Sequence, residues 1–431
     1  MKNCWIRFLC LSFLTLVTGM THAQNVAKIG DTEYATLQAA VDAAKQLSGS
    51  QTINLIANVS EETVTIQEVA NFQLTIDGQN KTVDATIVVD GLRGNGGSTT
   101  NGASVTLQNI AFVNSSSADG IQPKGYPHHL TIQDCTYTGS SSSSNKWFVN
   151  VTDGPLYGAT IKNVTVENTR LIQGNFGLDV VFENIIATNN ATVGFQIKTE
   201  GTVLIKDCQV TTAKYAFRDI ADEYTGTITL QGNTFVSTSE ESDEGVIVNR
   251  KGAVGTAHIN VESGTYTGHL KVMNNKEGVL AISGGYFSEE FPQEYIAADL
   301  VAQGKVCAPA TDMEGYFTIG DPHYVAQIGE TKYVSLAAAV EAVPAGTETT
   351  ITMIDDETII GNAGVIIPVG KNIVLDLNGK TVTLSVTESK GSQLITNSRT
   401  LTITDSSEGQ AGKLTNVADE SRAVGSWPTN N

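Results

Sequence analysis

Cysteine is scarce in this chain of 431 residues, which contains five. Two of them lie within the first ten residues, so three remain in the rest of the chain: Cys135, Cys208 and Cys307. An odd and widely spaced set of three excludes a disulfide framework of the kind that holds small secreted domains together. The fold must therefore be stabilised by the packing of side chains.

Basic side chains are also few, with 26 Lys and Arg against 45 Asp and Glu, and the formal net charge is −19 at pH 7. No basic cluster in the sequence offsets this excess. Such a chain repels nucleic acid and anionic lipid, so we expect neither as a partner. A highly anionic polysaccharide is a less natural partner for the same reason, unless cations bridge the two.

The chain lacks an apolar run of about 20 residues, the length that a membrane-spanning helix needs. One shorter run, residues 8–17, follows two basic residues and precedes TGMTHAQ, in which Thr21 and Ala23 occupy positions −3 and −1 of a small-residue cleavage site. This pattern is typical of a secretory signal peptide cut near Ala23. We therefore interpret residues 1–23 as a signal peptide and expect a secreted or cell-surface protein.

A short phrase recurs between residues 103 and 287. Its copies are VTLQNIAF, LTIQDCTY, ATIKNVTV, VVFENIIA, VLIKDCQV, ITLQGNTF, INVESGTY and LAISGGYF. Each has a strand-like half, a polar residue or glycine at the fifth position, and a second strand-like half. The fifth residues are Asn109, Asp134, Asn163, Asn184, Asp207, Gly232, Ser263 and Gly284. Repeats of this length without helical periodicity predict a β-solenoid of stacked coils.

The fifth position is interpreted as a tight bend between two strands, because Asn, Asp and Gly tolerate left-handed backbone conformations. Stacked coils would place these side chains in a ladder, formed by Asn109, Asp134, Asn163, Asn184 and Asp207. Cys135 and Cys208 directly follow this position and should point into the same interior stack. They are three coils apart, or roughly 14 Å, so we expect two buried free thiols.

These repeats resemble the right-handed parallel β-helix of pectate lyases and polygalacturonases, in which Asn ladders mark the same kind of turn. The resemblance covers roughly residues 50–290. It implies an all-β, pectin-lyase-like fold of the kind common in exported surface proteins of gut Bacteroidetes. The period is specific to the fold and not to any activity.

Two segments are near copies: AKIGDTEYATLQAAVDAA at 27–44 and AQIGETKYVSLAAAVEAV at 326–343, with ten of eighteen positions identical. In each copy apolar residues recur at i, i+3, i+4 and i+7, which predicts a short helix with Thr36 or Ser335 as its N-cap. The opening resembles the start of pectin methylesterases and of many exported bacterial β-helix proteins. We interpret each helix as the cap that covers the open end of a β-helix.

The second copy indicates that a new unit begins at residue 326. The stretch 282–320 resembles a closing segment common in surface β-helix proteins of gut bacteria. We therefore predict a β-helix over 24–320, a linker at 321–325 and a second β-helix-like unit over 326–431. With 106 residues, the second unit is either a short β-helix of about three coils or an incomplete one, and its length relative to the first favours the latter.

Two short motifs resemble parts of the polygalacturonase active site. ADGIQ at 118–122 resembles an Asp-Gly-Ile motif, and FQIKTEG at 195–201 resembles an Arg-Ile-Lys stretch with Gln196 in place of the arginine. The resemblance makes Asp119 and Lys198 candidate catalytic residues. The second Asp pair and the Gly-His-Gly motif of these hydrolases are missing, and such hydrolases need paired carboxylates. We therefore favour an ordinary structural role for both residues.

Other candidates concern ligands and metals. Tyr126, Trp147 and Tyr157 fall on loop-like segments, where exposed rings could stack on sugars or could simply cover the coil edge. We expect no cofactor, although Ca²⁺ could bind a loop of mixed acids. The acidic groups are Asp219, Asp222 and Glu223; Glu240, Glu241, Asp243 and Glu244; and Asp355, Asp356 and Glu357. Such runs are more often solvated.

Missing catalytic motifs, two tandem units and a repetitive body favour a non-catalytic exported protein, adhesin-like or glycan-binding, whose partner is a polysaccharide or a host or bacterial surface glycan. A polysaccharide lyase or glycoside hydrolase with a diverged site is the alternative. A purely structural stalk is a third hypothesis.

Overall fold

The structure is a computed structural model. It describes residues 24–91, 102–115, 118–140, 145–220, 224–241, 243–249, 258–272, 280–291, 300–302, 304–310, 313–360, 364–385, 393–397, 400–416 and 422–426. The predicted signal peptide, residues 1–23, lies outside this described part. The chain divides into two compact units, one ending at Gly320 and one beginning at Asp321, and each is described by itself.

The first unit consists almost entirely of short strands. In chain order its described elements are β1 (Ala27–Ile29), β2 (Thr32–Tyr34), α1 (Leu37–Ala44), β3 (Gln51–Leu55), β4 (Val59–Gln67), β5 (Gln73–Asp77), β6 (Thr82–Asp90), β7 (Ser104–Gln108), β8 (Ala111–Val113), β9 (Ile121–Lys124), β10 (His129–Thr138), β11 (Trp147–Asn150), β12 (Gly158–Glu167), β13 (Arg170–Phe176), β14 (Asp179–Ala191), β15 (Phe195–Thr199), β16 (Thr202–Lys206), β17 (Gln209–Thr212), β18 (Tyr215–Asp219), β19 (Thr227–Gln231), β20 (Asn233–Ser237), β21 (Gly245–Asn249), β22 (His258–Val261), β23 (Gly264–Thr267), β24 (Leu270–Val272), β25 (Leu280–Ile282), β26 (Gly285–Phe287), β27 (Val306–Pro309) and β28 (Phe317–Gly320).

Parallel pairing between successive coils arranges these strands in three faces. The first face contains β3, β5, β7, β16, β19, β22, β25 and the N-terminal parts of β10, β12 and β14. The second face contains β8, β17, β20, β23, β26, the N-terminal parts of β4 and β6, and the C-terminal parts of β10, β12 and β14. The third face contains β9, β11, β13, β15, β18, β21, β24 and the C-terminal parts of β4 and β6. The predicted all-β solenoid is confirmed.

The core lies inside the coils, because alternate side chains of every strand point inward. On the first face one inward column is apolar in every coil: Ile53, Ile76, Leu107, Ile132, Ile161, Phe182, Ile205, Leu230, Val261 and Ile282. An aromatic stack adds to it, with neighbouring ring centroids 4.8 to 6.0 Å apart: Phe176, Phe182, Phe195, Phe235, Tyr266, Phe287 and Phe291. Burial of each such side chain stabilises the fold by about 1.5 to 3 kcal/mol.

The turn between the first and second faces has a left-handed backbone conformation, which Asn, Asp and Gly tolerate. The five Asn and Asp residues of the predicted ladder all have φ between 50° and 55°. Side-chain bonds join some of their neighbours: Asn163 donates to Asp134 at 2.9 Å, and Asn184 donates to Asn163 at 3.0 Å. Gly232 continues the series with φ 66°.

The series changes in the last coils, where the sequence prediction was wrong. Positive φ falls not on Ser263 and Gly284 but one residue later, on Gly264 and Gly285. The reason lies in the preceding coil. A side chain at position 264 would lie 2.4 Å from the carbonyl oxygen of Asn233, so only glycine fits there.

Cys135 and Cys208 are buried free thiols in the interior stack, as predicted. In the same stack Cys135 pairs in register with Val164, which pairs with Ile185. Burial raises the pKa of both thiols to about 12. Both sulfur atoms therefore behave as small apolar groups.

Helix α1 covers the first coil, as predicted, and packs against β1, β3 and β4. Thr36 is its N-cap, and Oγ1 of this residue accepts a hydrogen bond from the main chain of Ala39 at 3.0 Å. The four residues predicted on its apolar face are all buried: Leu37, Ala40, Val41 and Ala44.

The other end of the first unit is covered by a reversal of strand direction. Strand β28 pairs antiparallel with β26 of the last coil and also with β27. Leu300 and Val301, which precede β27, are buried in the same core. The segment that was expected to close the unit thus covers the edge that a further parallel coil would use.

The second unit repeats this plan on a smaller scale. Its described elements are β29 (Ala326–Ile328), β30 (Thr331–Tyr333), α2 (Leu336–Ala342), β31 (Glu348–Met353), β32 (Glu357–Ile360), β33 (Val365–Ile367), β34 (Asn372–Asp376), β35 (Thr381–Ser385), β36 (Gln393–Asn397), β37 (Thr400–Thr404), β38 (Lys413–Asn416) and β39 (Arg422–Ser426). Ser335 caps α2 as predicted, and Leu336, Ala339 and Val340 are buried. Three parallel sheets, β31-β34-β37, β32-β35-β38 and β33-β36-β39, make three coils.

Within the described residues of both units, no helix has the length and apolar character needed to cross a membrane.

Candidate functional site

The two candidate catalytic residues lie far apart on the third face. Asp119 precedes β9, whereas Lys198 lies on β15, three coils later and in the register column of Lys124. From coil spacing and strand rise we expect about 20 Å between them. The structure therefore does not bring these two residues together.

Asp119 instead joins two coils. Its Oδ1 accepts a hydrogen bond from the main chain of Trp147 at 2.9 Å, and its Oδ2 accepts one from Nδ2 of Asn150 at 2.8 Å. Both carboxylate oxygens are thus used to hold the start of β11 against the preceding turn. This is the ordinary structural role that the sequence favoured.

The three candidate aromatic residues have different environments. Tyr126 is 41% exposed and Tyr157 is half-buried, with their ring centroids 6.4 Å apart and an angle of 30° between the planes. Trp147 was expected on a loop-like segment, and this was wrong: it begins β11 and is only 4% exposed. Trp147 packs with Val193, Tyr215 and Val248 in an apolar cluster outside the main core.

Tyr126 and Tyr157 are each held by a glycine of the following coil. A side chain at Gly154 would lie 2.8 Å from the ring of Tyr126, and one at Gly177 would lie 2.6 Å from the ring of Tyr157. Each ring therefore rests on backbone that carries no side chain. Leu178 follows Gly177 and is 45% exposed, so it extends the apolar surface beyond the two rings.

The outward surface of the third face is mainly polar. One register column presents amide side chains from four successive coils and then a guanidinium: Gln122, Asn150, Gln173, Gln196 and Arg218. Oδ1 of Asn150 is buried and has no hydrogen-bond partner among the described residues. Amide groups in such a column can donate and accept hydrogen bonds at each coil, about every 4.8 Å.

Beside this column lies the cation cluster, formed by Arg170, Lys214 and Arg218. The guanidinium of Arg170 lies 5.4 Å from the centroid of the Trp147 ring, and that of Arg218 lies 3.8 Å from the Tyr215 ring. Both contacts lie in the range of cation–π interactions. The buried aromatic cluster thus serves as the support for two arginines.

Gln196 connects Tyr215 and Arg218 through hydrogen bonds. Its Oε1 accepts hydrogen bonds from the hydroxyl of Tyr215 at 2.7 Å and from Nη2 of Arg218 at 2.5 Å. In sequence, Gln196 stood where a polygalacturonase would have arginine. In the structure an arginine lies directly beside it, because Gln196 and Arg218 are partners in the pairing of β15 with β18.

Glu244 is the carboxylate next to the cation cluster. It accepts hydrogen bonds from Lys214 at 2.6 Å and from Ser239 at 2.6 Å. Burial opposes its ionisation, but these bonds outweigh burial and lower the pKa of this carboxyl. The bond to Glu244 raises the pKa of Lys214, while nearby Arg170 acts in the opposite sense.

The acidic groups proposed for Ca²⁺ do not converge where the structure describes them. Asp219 is fully buried and lies inside the coil, while Asp222 and Glu223 lie outside the described residues. In the second unit Asp355 pairs with His323 at 2.9 Å, and Asp356 accepts from the main chain of Thr381 at 2.7 Å. Among the described residues, no group of three or more His, Cys, Asp and Glu could hold a metal ion.

Sequence reasoning missed the cation cluster. Arg170 lies on β13, whereas Lys214 and Arg218 lie two coils later, in the turn before β18 and on β18, and none of the three lies in a motif. The one available signal was the pairing register, which places Gln196 beside Arg218 only when the repeats are aligned strand by strand.

Comparison with known proteins matches part of the chain to one family model. Residues 90–276 match the family described as Right handed beta helix region. No curated protein and no solved structure matched the chain. With the parallel coils described above, the first unit is a right-handed parallel β-helix, which confirms the predicted fold class. The matched family describes a fold and no activity.

Proposed function

We propose that this is a non-catalytic, exported glycan-binding protein, whose binding surface combines the neighbouring rings of Tyr126 and Tyr157 with the polar outward side of the third face. Export is supported by the signal-peptide pattern of residues 1–23. The absence of paired carboxylates at the resemblance motifs supports a non-catalytic role, since Asp119 is engaged with Trp147 and Asn150.

The observation that carries the proposal is the arrangement of the two tyrosines. Sugar rings bind to proteins by stacking their apolar faces on aromatic side chains, and a ring already held in place loses little conformational freedom on binding. Tyr126 and Tyr157 occupy neighbouring coils and rest on Gly154 and Gly177. They therefore form a short prearranged row for consecutive sugars of a linear chain.

The amide column adds directional hydrogen bonds to this row. Hydroxyl groups of a sugar both donate and accept, and amide side chains match them in both senses. Because the column repeats with the coils, it suits an extended polymer better than a compact ligand.

A panel of plant and host glycans tests the proposal, with binding and the release of new reducing ends or unsaturated products measured in parallel. We expect binding without products, and about a tenfold loss of affinity for each of Tyr126→Ala and Tyr157→Ala, the effect of about 1.4 kcal/mol per stacked ring. Tyr324→Ala is the matched control, because this tyrosine of the second unit is 40% exposed.

Two results would contradict the proposal. Glycan cleavage by the chain would show an enzyme, the alternative that the resemblance to polygalacturonases raises. Failure of every glycan to bind would favour a purely structural stalk.

A further inference from the structure

Tyr126 has an unusual backbone conformation for a tyrosine. Its φ is 68°, which lies in the left-handed region. Among the described residues, every other non-glycine residue with positive φ is Asn, Asp or Gln. A bulky side chain disfavours this conformation, and the following Pro127 favours an extended backbone at position 126. Such a conformation persists only where the surrounding structure holds it, and it is typical of functional sites.

A buried carboxylate holds the segment that carries Tyr126, residues 125–128. Glu68 directly follows β4 and is only 1% exposed. Its Oε1 and Oε2 accept hydrogen bonds from the main-chain amide of His128 at 3.0 and 3.1 Å. A Glu side chain is almost never fully buried without such partners. An ionised carboxylate accepts hydrogen bonds about twice as strong as those of a neutral carbonyl.

This contact restrains Tyr126 because only one residue, Pro127, separates it from His128. The pyrrolidine ring fixes φ of Pro127, which also has no amide hydrogen that could hold the segment. The amide of His128 is therefore the first main-chain donor after Tyr126, and Glu68 is its acceptor. The ring of His128 is held separately, with Nδ1 2.9 Å from the carbonyl oxygen of Ala103.

Gly91 lies in the coil between Glu68 and Tyr126 and lets the segment lie close to that coil. A side chain at position 91 would collide with the main chain of Gly125, Tyr126 and Pro127. The segment thus packs directly on the backbone of the preceding coil. This close contact adds to the restraint that Glu68 provides.

Tyr157 does not need a comparable restraint. Its φ is not positive. The main-chain amide of Leu178, in the following coil, donates to its carbonyl oxygen at 2.6 Å. The two rings of the proposed binding surface are therefore held by different contacts.

We propose that Glu68 is a positioning residue for the binding surface: its carboxylate holds the left-handed backbone of Tyr126, and with it the orientation of the ring on which a sugar stacks. This inference rests on the proposed glycan-binding function. Because Glu68 is itself buried, it acts on a glycan only through Tyr126.

Fluorine NMR of the full chain, with fluorotyrosine at its 12 tyrosines, tests the positioning without any ligand. The resonance that is lost in Tyr126→Phe identifies Tyr126. We expect this resonance to shift or broaden in Glu68→Ala, because the His128 amide loses its acceptor and the left-handed conformation loses its restraint. An unchanged resonance would overturn the inference.

Affinity for a glycan that binds the parent chain gives a second measurement. Glu68→Ala should lower this affinity by up to about tenfold, the loss expected for Tyr126→Ala. The double variant should bind as Tyr126→Ala does, whereas the losses of Glu68→Ala and Tyr157→Ala should add. Additive losses of Glu68→Ala and Tyr126→Ala would overturn a role that acts through Tyr126.

Glu61→Ala is the matched control. Glu61 lies on β4 and also accepts from main-chain amides, those of Leu37 and Gln38, but at the cap helix. It should leave the Tyr126 resonance and the glycan affinity unchanged. Equal effects of Glu61→Ala and Glu68→Ala would trace both to general destabilisation and overturn the inference.

Glu68→Gln serves if Glu68→Ala does not fold, because its amide keeps one oxygen as an acceptor. We expect a smaller change of the Tyr126 resonance and about a threefold loss of affinity, since the charged acceptor is replaced by a neutral one. A folded Glu68→Gln that matches the parent in both would then overturn the inference. If no glycan binds the parent chain, the proposed function fails, whereas the fluorine resonance still decides whether Glu68 positions Tyr126.

Discussion

The main-chain amide of Leu37 donates a hydrogen bond to Oε1 of Glu61 at 2.6 Å. Leu37 is the first residue of α1, so a carboxylate from β4 meets the positive end of the cap helix. The second unit repeats the contact, with Leu336 donating to Oε2 of Glu357 at 3.0 Å. In each unit the partner of the cap helix thus lies more than twenty residues further along the chain, beyond the duplicated segment.

Glu61→Ala should destabilise the first unit by about 1 to 2 kcal/mol, because two orphan amides at the helix start lose their acceptor. Gln38 also donates to this carboxylate, at 3.3 Å. Denaturant unfolding measures the effect. Glu62→Ala is the control, since Glu62 is exposed, and an equal loss in both variants would contradict a role for the helix contact.

Gln38→Ala should expose the edge of the first coil. The side-chain amide of Gln38 accepts from the main chain of Thr65 at 2.6 Å and donates to its carbonyl at 3.1 Å, as a neighbouring strand would. Its loss leaves both groups without a protein partner, which costs about 1 to 3 kcal/mol if they stay buried. Hydrogen exchange at the Thr65 amide should become faster. Unchanged protection would show that the helix, and not this amide, covers the edge.

Asp119→Asn should lower stability and leave glycan chemistry unaffected. The substituted amide can still accept from Trp147, but its NH₂ group faces Nδ2 of Asn150, so one hydrogen bond is lost at a cost of about 1 to 2 kcal/mol. Thermal unfolding checks this, with Asp31→Asn as the exposed control. A glycan-cleaving activity that disappears in this variant would instead make Asp119 catalytic.

Asp405 should titrate well below an ordinary aspartate. Hydrogen bonds from Ser407, Gly412 and Gly379 lower the pKa of its carboxyl from 3.8 to about 2. Since the folded pKa is the lower one, this group stabilises the second unit above about pH 3.8, and the contribution is lost as the pH falls toward 2. NMR titration of the carboxyl measures the pKa directly. A value near 4 would show that these bonds do not form in solution, and Asp405→Asn should remove the dependence.

Much of the architecture could be predicted because it rests on local chemistry. Thr36 and Ser335 could be recognised as caps since a hydroxyl accepts from an amide three residues on, whatever surrounds the helix. Asn163 could be placed at a bend because its preference for positive φ is its own. The shift from Ser263 to Gly264 could not be predicted, because it depends on the carbonyl of Asn233 in the preceding coil.

Less of the candidate site could be predicted from local chemistry. Trp147 was assigned to a loop-like segment, yet it lies on a strand, and Val193, Tyr215 and Val248 from later coils bury it. Tyr126 and Tyr157 were recognisable as candidates, but their alignment on Gly154 and Gly177 requires the coil register.

The amino-acid sequence by itself therefore determined the repeat, the bends, the cap helices and the interior positions of Cys135 and Cys208, since each follows from residues close together in the chain. Only the tertiary structure decided which side chains of different coils meet: Arg170 with Trp147, Arg218 with Tyr215, and Gln196 between them. The physical reason is that parallel pairing brings residues more than twenty positions apart to about 4.8 Å, and loops of unequal length conceal that register in the linear order.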